Sequence, residues 1–111
     1  MANTFKNAFS ADISNSSYAD IYTVPSSTTT VILGLNICNK TASAVTAKVQ
    51  LQDTSASSAT FQIMEDVSIP ANTSLEVMTG QKYILEATDV LRVQAGTGSA
   101  LDVTLGVMEI T

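Results

Sequence analysis

Ala44-Val45-Thr46-Ala47-Lys48-Val49-Gln50-Leu51-Gln52 alternates between apolar and polar side chains without a break. Side chains of an extended strand point to opposite faces in turn. Val45, Ala47, Val49 and Leu51 therefore face a core, and Thr46, Lys48, Gln50 and Gln52 face water. Just upstream stands Thr30-Val31-Ile32-Leu33-Gly34-Leu35-Asn36-Ile37-Cys38-Asn39, a second strand. Val31, Leu33, Leu35 and Ile37 are expected on one face, with Ile32, Gly34, Asn36 and Cys38 on the other. Apolar residues on both faces predict a central strand, or one covered on both sides. Asn39-Lys40-Thr41 is the turn that joins the pair.

Outward from these two strands, short β-like runs and turn signals continue to both ends. Residues 20–24 form a strand closed by Pro25, and residues 60–69 form another with Phe61, Ile63, Val67 and Ile69. Glu65-Asp66 marks a bulge or kink inside the latter. Residues 53–58 make a polar loop. Residues 75–78 and 82–86 flank a turn at Thr79-Gly80, and Ala87-Thr88-Asp89 makes the next corner. Residues 90–95 lead to Gly96-Thr97-Gly98, taken as a hairpin turn. The last strand, residues 101–110, sets Leu101, Val103, Leu105 and Val107 on one face. Gly34 and Gly106, each inside a strand, predict a bulge or a close backbone approach.

One pattern occurs twice. Tyr22-Thr23-Val24-Pro25-Ser26-Ser27-Thr28-Thr29 is echoed by Val67-Ser68-Ile69-Pro70-Ala71-Asn72-Thr73-Ser74. Each is an apolar strand end, a proline that cannot extend a ladder, a small polar turn and a new strand. Two equivalent corners suit two packed sheets. The expected fold is all-β, an antiparallel sandwich of about eight strands with jelly-roll-like or Greek-key connections. Residues 20–111 would form the sandwich. Residues 1–19, where Phe5, Phe9 and Ile13 are spaced by four among poor helix formers, would form an N-terminal arm or an edge strand.

The composition narrows the function. A chain of 111 residues fits one domain with a modest core. Val, Ile, Leu, Thr and Ala dominate, while charged residues make up only 14% of the chain, so Ser and Thr supply most of the polarity. The net charge of −5 repels phosphate and argues against a nucleic-acid partner. No apolar run is long enough to span a bilayer, which argues against a membrane partner. The N-terminus, Met1-Ala2-Asn3-Thr4-Phe5-Lys6, has no signal-peptide core, so synthesis without Sec-type export is expected.

The inventory of reactive groups is thin. Histidine is absent, which removes Ser-His-Asp and Cys-His arrangements and histidine metal sites. Cys38 is the only cysteine, and its apolar surroundings predict a buried, inert thiol. Gly96-Thr97-Gly98 lacks the third glycine and following helix of a dinucleotide loop. Asp53, Asp89 and Asp102 lie at turns, where carboxylates accept backbone hydrogen bonds. Asn15, Asn39 and Asn72 sit in N-x-S/T triplets, as chance provides in so Ser/Thr-rich a chain. No catalytic residue, metal site or cofactor is expected. The aromatic residues carry what remains. Phe61 and Tyr83 fit core positions. Phe5, Phe9, Tyr18 and Tyr22 are candidates for contacts between subunits, with Tyr18 and Tyr22, four apart, on one face of a strand.

Several pieces together carry a resemblance. They are Lys6-Asn7-Ala8-Phe9-Ser10-Ala11-Asp12-Ile13, Ile21-Tyr22-Thr23-Val24-Pro25, Val31-Ile32-Leu33-Gly34-Leu35-Asn36-Ile37-Cys38-Asn39 and Ile69-Pro70-Ala71-Asn72-Thr73-Ser74-Leu75-Glu76-Val77. Leu85-Glu86-Ala87-Thr88-Asp89-Val90-Leu91-Arg92-Val93 and Val103-Thr104-Leu105-Gly106-Val107-Met108-Glu109-Ile110 complete the set. In these pieces the chain resembles small β-sandwich virion structural proteins of tailed bacteriophages. The resemblance implies a non-enzymatic subunit of the virion, either a capsid decoration (cement) protein or a neck or tail accessory protein. Its partners would be other virion proteins and further copies of itself, in a homo-oligomer expected to be a trimer. The alternative is a receptor- or glycan-binding module of a tail or fibre.

Overall fold

The computed structural model describes residues 3–54, 59–77 and 83–111. The expected turn at Thr79-Gly80, the flanking Met78 and Lys82, and most of the polar loop after Asp53 lie outside the described residues. Nine strands are present among those described: β1 (Asn3–Ser10), β2 (Ala19–Thr23), β3 (Thr29–Asn39), β4 (Val45–Asp53), β5 (Ala59–Ile69), β6 (Ser74–Glu76), β7 (Tyr83–Leu85), β8 (Val90–Ala95) and β9 (Leu101–Ile110). They form two antiparallel sheets, a sandwich as the alternation of β4 and β9 predicts. Sheet 1 has the order β1-β9-β3-β6, with β7 also paired to β3, and sheet 2 has the order β2-β8-β4-β5.

The pairings are nested. β1 pairs with β9, β2 with β8, β3 with β6 and β7, and β4 with β5. That is the pattern of one long antiparallel hairpin, folded at the β4–β5 turn and then rolled so that β9 meets β3 and β8 meets β4. Most connections therefore cross between sheets, and left-handed residues turn those corners. After the echoed prolines, Ser27 and Asn72 both have φ of 56°. Both corners lead from sheet 2 to sheet 1, behind Val24 and Ile69, each 1% exposed. Thr28 Oγ1 bonds Ser26 O at 3.1 Å, and Thr73 Oγ1 bonds Pro70 O at 2.7 Å. The corner after β8 differs from the expected hairpin turn. Gly96-Thr97-Gly98 carries the chain from sheet 2 to β9 in sheet 1. Gly96 donates its N–H to Thr46 O at 2.8 Å, and a Cβ there would stand 2.1 Å from Thr46 Oγ1.

The core lies between the sheets. Val45, Ala47 and Val49 of β4 and Leu101, Val103, Leu105 and Val107 of β9 are buried, each on its expected face. β3 departs from simple alternation. Its register against β9 shifts between Ile32 and Gly34, which makes Leu33 an extra residue in the strand. The bulge reverses the phase, so Thr30 and Ile32 point inward before it and Leu35 and Ile37 after it. Leu33, expected with the inward set, is pushed out to 43% exposure. A second bulge lies where Glu65-Asp66 predicts it, with Asp66 at φ 47° and both carboxylates near Lys48 Nζ (3.2 and 3.8 Å).

Two further expectations are corrected. Phe61 faces inward, opposite Leu51, yet is 55% exposed. β5 is the edge of sheet 2, and at that end sheet 1 offers only the three-residue β6 and β7 to cover it. Tyr83 does pack against the core. Cys38 is half-buried, because its side chain lies on the outer side of β3, in register with Asp102 and Ser74.

Asn39 is a structural hub that its place in the Asn39-Lys40-Thr41 turn conceals. It is fully buried, and its Nδ2 donates to Ser43 O (2.9 Å), Ile69 O (3.0 Å) and Pro70 O (3.2 Å). Its Oδ1 accepts from Thr41 N (3.0 Å) and Thr41 Oγ1 (2.7 Å). One side chain thus ties the β3–β4 turn to the β5–β6 corner.

Candidate assembly surface

Residues in register across a sheet share a face. In sheet 1, Ile84 of β7 stands beside Val31 of β3, Val31 beside Met108 of β9, and Met108 beside Phe5 of β1. All four lie on the side away from the core. They form an apolar row across the full width of the sheet, with Phe5 71% and Ile84 67% exposed. The bulged Leu33 stands next to this row, and Ile110 lies one pair further along. Phe9, 69% exposed, shares the face nearer its other end.

Between these ridges the face has a bare floor. Gly34 and Gly106 are register partners, and Phe5, Leu33 and Gly106 line a groove of about 290 Å³. Neither glycine is required by the chain's own packing. A Cβ at Gly34 would meet only Glu76 Oε1, at 3.6 Å, and one at Gly106 only Asn7 Oδ1, at 3.9 Å, both ordinary contacts.

The outer face of sheet 2 is the opposite in character. Arg92 Nε bonds Asp20 at 2.9 Å, Gln50 Nε2 donates to Gln62 Oε1 at 2.9 Å, and Gln62 Nε2 donates to the Tyr18 hydroxyl at 3.0 Å. One outer face is wet and internally paired, while the other exposes large apolar side chains.

At the apolar end of sheet 1 a polar cluster joins four strands on the inner side. Glu109 of β9 is only 5% exposed. Its carboxylate takes a hydrogen bond from the Tyr22 hydroxyl and an ion pair from Lys6 Nζ at 2.9 Å. The Tyr22 hydroxyl also meets Thr30 Oγ1 at 2.9 Å. The Tyr22 and Lys6 contacts hold the Glu109 carboxyl below its usual range. Burial, then the bond to Glu109, pushes the Tyr22 hydroxyl up to about 12.

The pH dependence follows in sign. A depressed carboxyl stabilises the fold fully above its ordinary value and loses that contribution as pH falls through the depressed one. A raised phenol stabilises it fully below its ordinary value of about 10 and loses that contribution as pH rises to about 12. Tyr22→Phe is expected to flatten both limbs of a melting-temperature profile. An unchanged profile would remove this cluster from the account of stability.

The four aromatic candidates are not brought together. Phe5 and Phe9 lie on the apolar outer face of sheet 1. Tyr18 lies on the outer face of sheet 2, bonded to Gln62. Tyr22 turns inward, because the register of β2 shifts between Asp20 and Tyr22 and separates the two tyrosines expected on one face. Ile84, Val31, Leu33 and Met108 were not foreseen as surface residues. Asp89 and Asp102 accept backbone hydrogen bonds at their corners, from Glu86 N (2.9 Å) and Asp12 N (3.1 Å). Among the described residues no group of three or more His, Cys, Asp or Glu side chains converges.

No protein-family model matches the chain, and no curated protein matches it in sequence. Solved structures do share its fold. A Bacillus endospore appendage protein, from a family of disulfide-linked pili, superposes with a TM-score of 0.58 at 8% identity, over 98% of this chain and 88% of that one. The acid-stable capsid of Helicobacter pylori bacteriophage KHP30 gives 0.57 at 8% identity, over 100% of this chain and 89% of that one. At such identity the likeness is one of fold.

Proposed function

We propose that this chain is a non-enzymatic structural subunit of a phage virion, a jelly roll that works by contact with its neighbours. The nested strand pairings support the jelly-roll assignment once the broken β6/β7 edge is counted as one strand. The observation that carries the function is the contrast between the two outer faces. A monomer in water gains nothing from presenting Phe5, Leu33 and Ile84 on one flat sheet, and apolar patches of that kind mark interaction surfaces. Fold likeness to a phage capsid protein is consistent with this reading.

The occupant of the apolar face is a second copy of this chain. Four strands about 4.8 Å apart, roughly ten residues long at about 3.4 Å each, present on the order of 600 Å². Two such faces bury about 1,200 Å², the lower end of a standard stable interface. The apolar row itself carries no charged side chain; Glu76 and Asp102 lie on the same face toward its other end, where Lys40 pairs with Asp102. Phe5 and Phe9 are contact residues, and in the closed trimer the apolar faces turn toward a shared threefold axis, where each face meets part of both neighbours' faces. It serves on the particle as a capsid decoration (cement) subunit or a neck or tail accessory subunit.

The test is cryo-electron microscopy of the particle that carries this gene product. Copies at capsomer centres or junctions would support decoration, and one ring at the neck or tail would support an accessory subunit. Particles without its density would overturn the structural reading.

A further inference from the structure

Strand β1 is held unlike any other long strand. It pairs with β9 over eight residues, from Asn3 opposite Ile110 to Ser10 opposite Val103, yet none of its side chains is buried. Its attachment consists of a backbone ladder, the ion pair of Lys6 with Glu109 and the small, partly buried Ala8 against the core. Just beyond it the chain is locked down. Ile13 is 1% exposed and donates to Leu101 O at 3.0 Å, Ala95 N donates to Ser14 O at 3.1 Å, and Lys40 bridges Asp12 and Asp102. Between the loosely held strand and the locked segment stands the exposed Ala11, next to Asp12 at φ 54°.

We infer that β1 is an exchanged arm: in the assembled trimer, residues 3–10 of each copy pair with β9 of the next and set their Lys6 against that neighbour's Glu109. This rests on the homo-oligomer proposed above and specifies how its copies are joined. The β9 edge selects its occupant by chemistry. It needs an extended backbone to complete the ladder, and a cation opposite the nearly buried Glu109. A neighbour's β1 supplies both, with every contact that the chain's own β1 makes. Exchange therefore costs no contact, and each arm adds a strand-length bond between copies. The exchanged residues are all taken up by the ladder, so the crossing is made by Ala11 and Asp12, which span about 10 Å from Ser10 to the anchored Ile13 at roughly 3.3 Å per residue; the neighbour's β9 must lie within that distance. Passed head to tail, three such arms close a ring.

The experiment places cysteines at a register pair on β1 and β9. Asn7→Cys with Gly106→Cys, in a Cys38→Ser background, changes an exposed position in the first case and half-buried ones in the other two. Opposed antiparallel residues lie within disulfide range. The assembled protein is oxidised and run on a denaturing, non-reducing gel, and its mass is measured in parallel by light scattering. Exchange predicts covalently linked dimers and trimers. Oligomers in solution that run only as internally bridged monomers on the gel would overturn the exchange and leave the assembly standing. Wild-type protein that stays monomeric at every concentration would overturn both. A second register pair guards against a misplaced first one: Asn3→Cys with Ile110→Cys, in the same background, is expected to give the same linked dimers and trimers. Internally bridged monomers from both pairs, with oligomers present in solution, would overturn the arm.

Discussion

Asn39→Asp unfolds the domain, or comes close to it. The substitution keeps the size of the side chain and the oxygen that accepts from Thr41. It replaces the amide that donates to Ser43 O, Ile69 O and Pro70 O with a second oxygen facing those three carbonyls. The site is fully buried, so water cannot compensate. An uncompensated buried charge costs about 3–5 kcal/mol, and unpaired acceptors add to it. A domain of this size has a total stability of only about 5–15 kcal/mol. Asn39→Ala, which loses the bonds without adding a charge, should cost about 2–3 kcal/mol. Urea unfolding of both variants is the measurement. The Asp variant carries a signature of its own. Its carboxyl must be raised in the folded state, so it should be more stable near pH 4 than at pH 7, because a protonated oxygen can donate to one carbonyl. A loss below about 1 kcal/mol at pH 7 would mean that the hub does not hold the two turns together.

Charge on the apolar row should abolish assembly and leave the fold intact. Phe5→Asp with Ile84→Asp alters two side chains that are 71% and 67% exposed, so the monomer's stability should move by less than about 1 kcal/mol. In a packed interface each unpaired carboxylate costs about 2 kcal/mol or more. Together they weaken association by roughly a thousandfold. Gln62→Glu adds a charge to the outer face of sheet 2 and should leave assembly unchanged. Sedimentation across a concentration series reads both variants against the wild type. An assembling double variant would place the contact elsewhere, and a monomeric Gln62→Glu would give the wet face a share in it.

The sequence makes the strands plain where one face is dry and the other wet. β4 alternates because water wets one side of it, and β9 does so from Leu101 to Leu105, after which Met108 and Ile110 put apolar side chains on the outer face as well. The echoed proline corners are equally clear, since proline ends a ladder and a small polar residue takes the left-handed turn two positions later. β3 is harder. Ile32 and Leu33 are both apolar, so nothing in the pattern says which one the bulge expels, although Gly34 and Gly106 mark its neighbourhood. Phe61 misleads because the chemistry of a side chain does not reveal whether the opposite sheet extends far enough to cover it. Of the apolar outer face, Phe5 and Phe9 stand out in the sequence as aromatics on a polar segment. Ile84, Val31 and Met108 look like ordinary strand residues, and only register across three strands lines them up. Asn39 is hidden for a similar reason: its partners at Ile69 and Pro70 lie some thirty residues away.

The position of β9 governs when the protein can fold. It is the last strand to be synthesised, and it lies between β1, the first, and β3. Both neighbours must wait for it, so sheet 1 cannot close until β9 has been made. Contacts that join the two ends of a polypeptide must overcome a large loop entropy before they return any stability, which puts folding in the millisecond-to-second range. A chain truncated before Leu101 would leave β1 and β3 without the partner they share, with unpaired edges and the apolar side chains of β3 open to solvent. Any such fragment, from stalled translation or a nonsense mutation, should be cleared or aggregate rather than persist as a partial subunit.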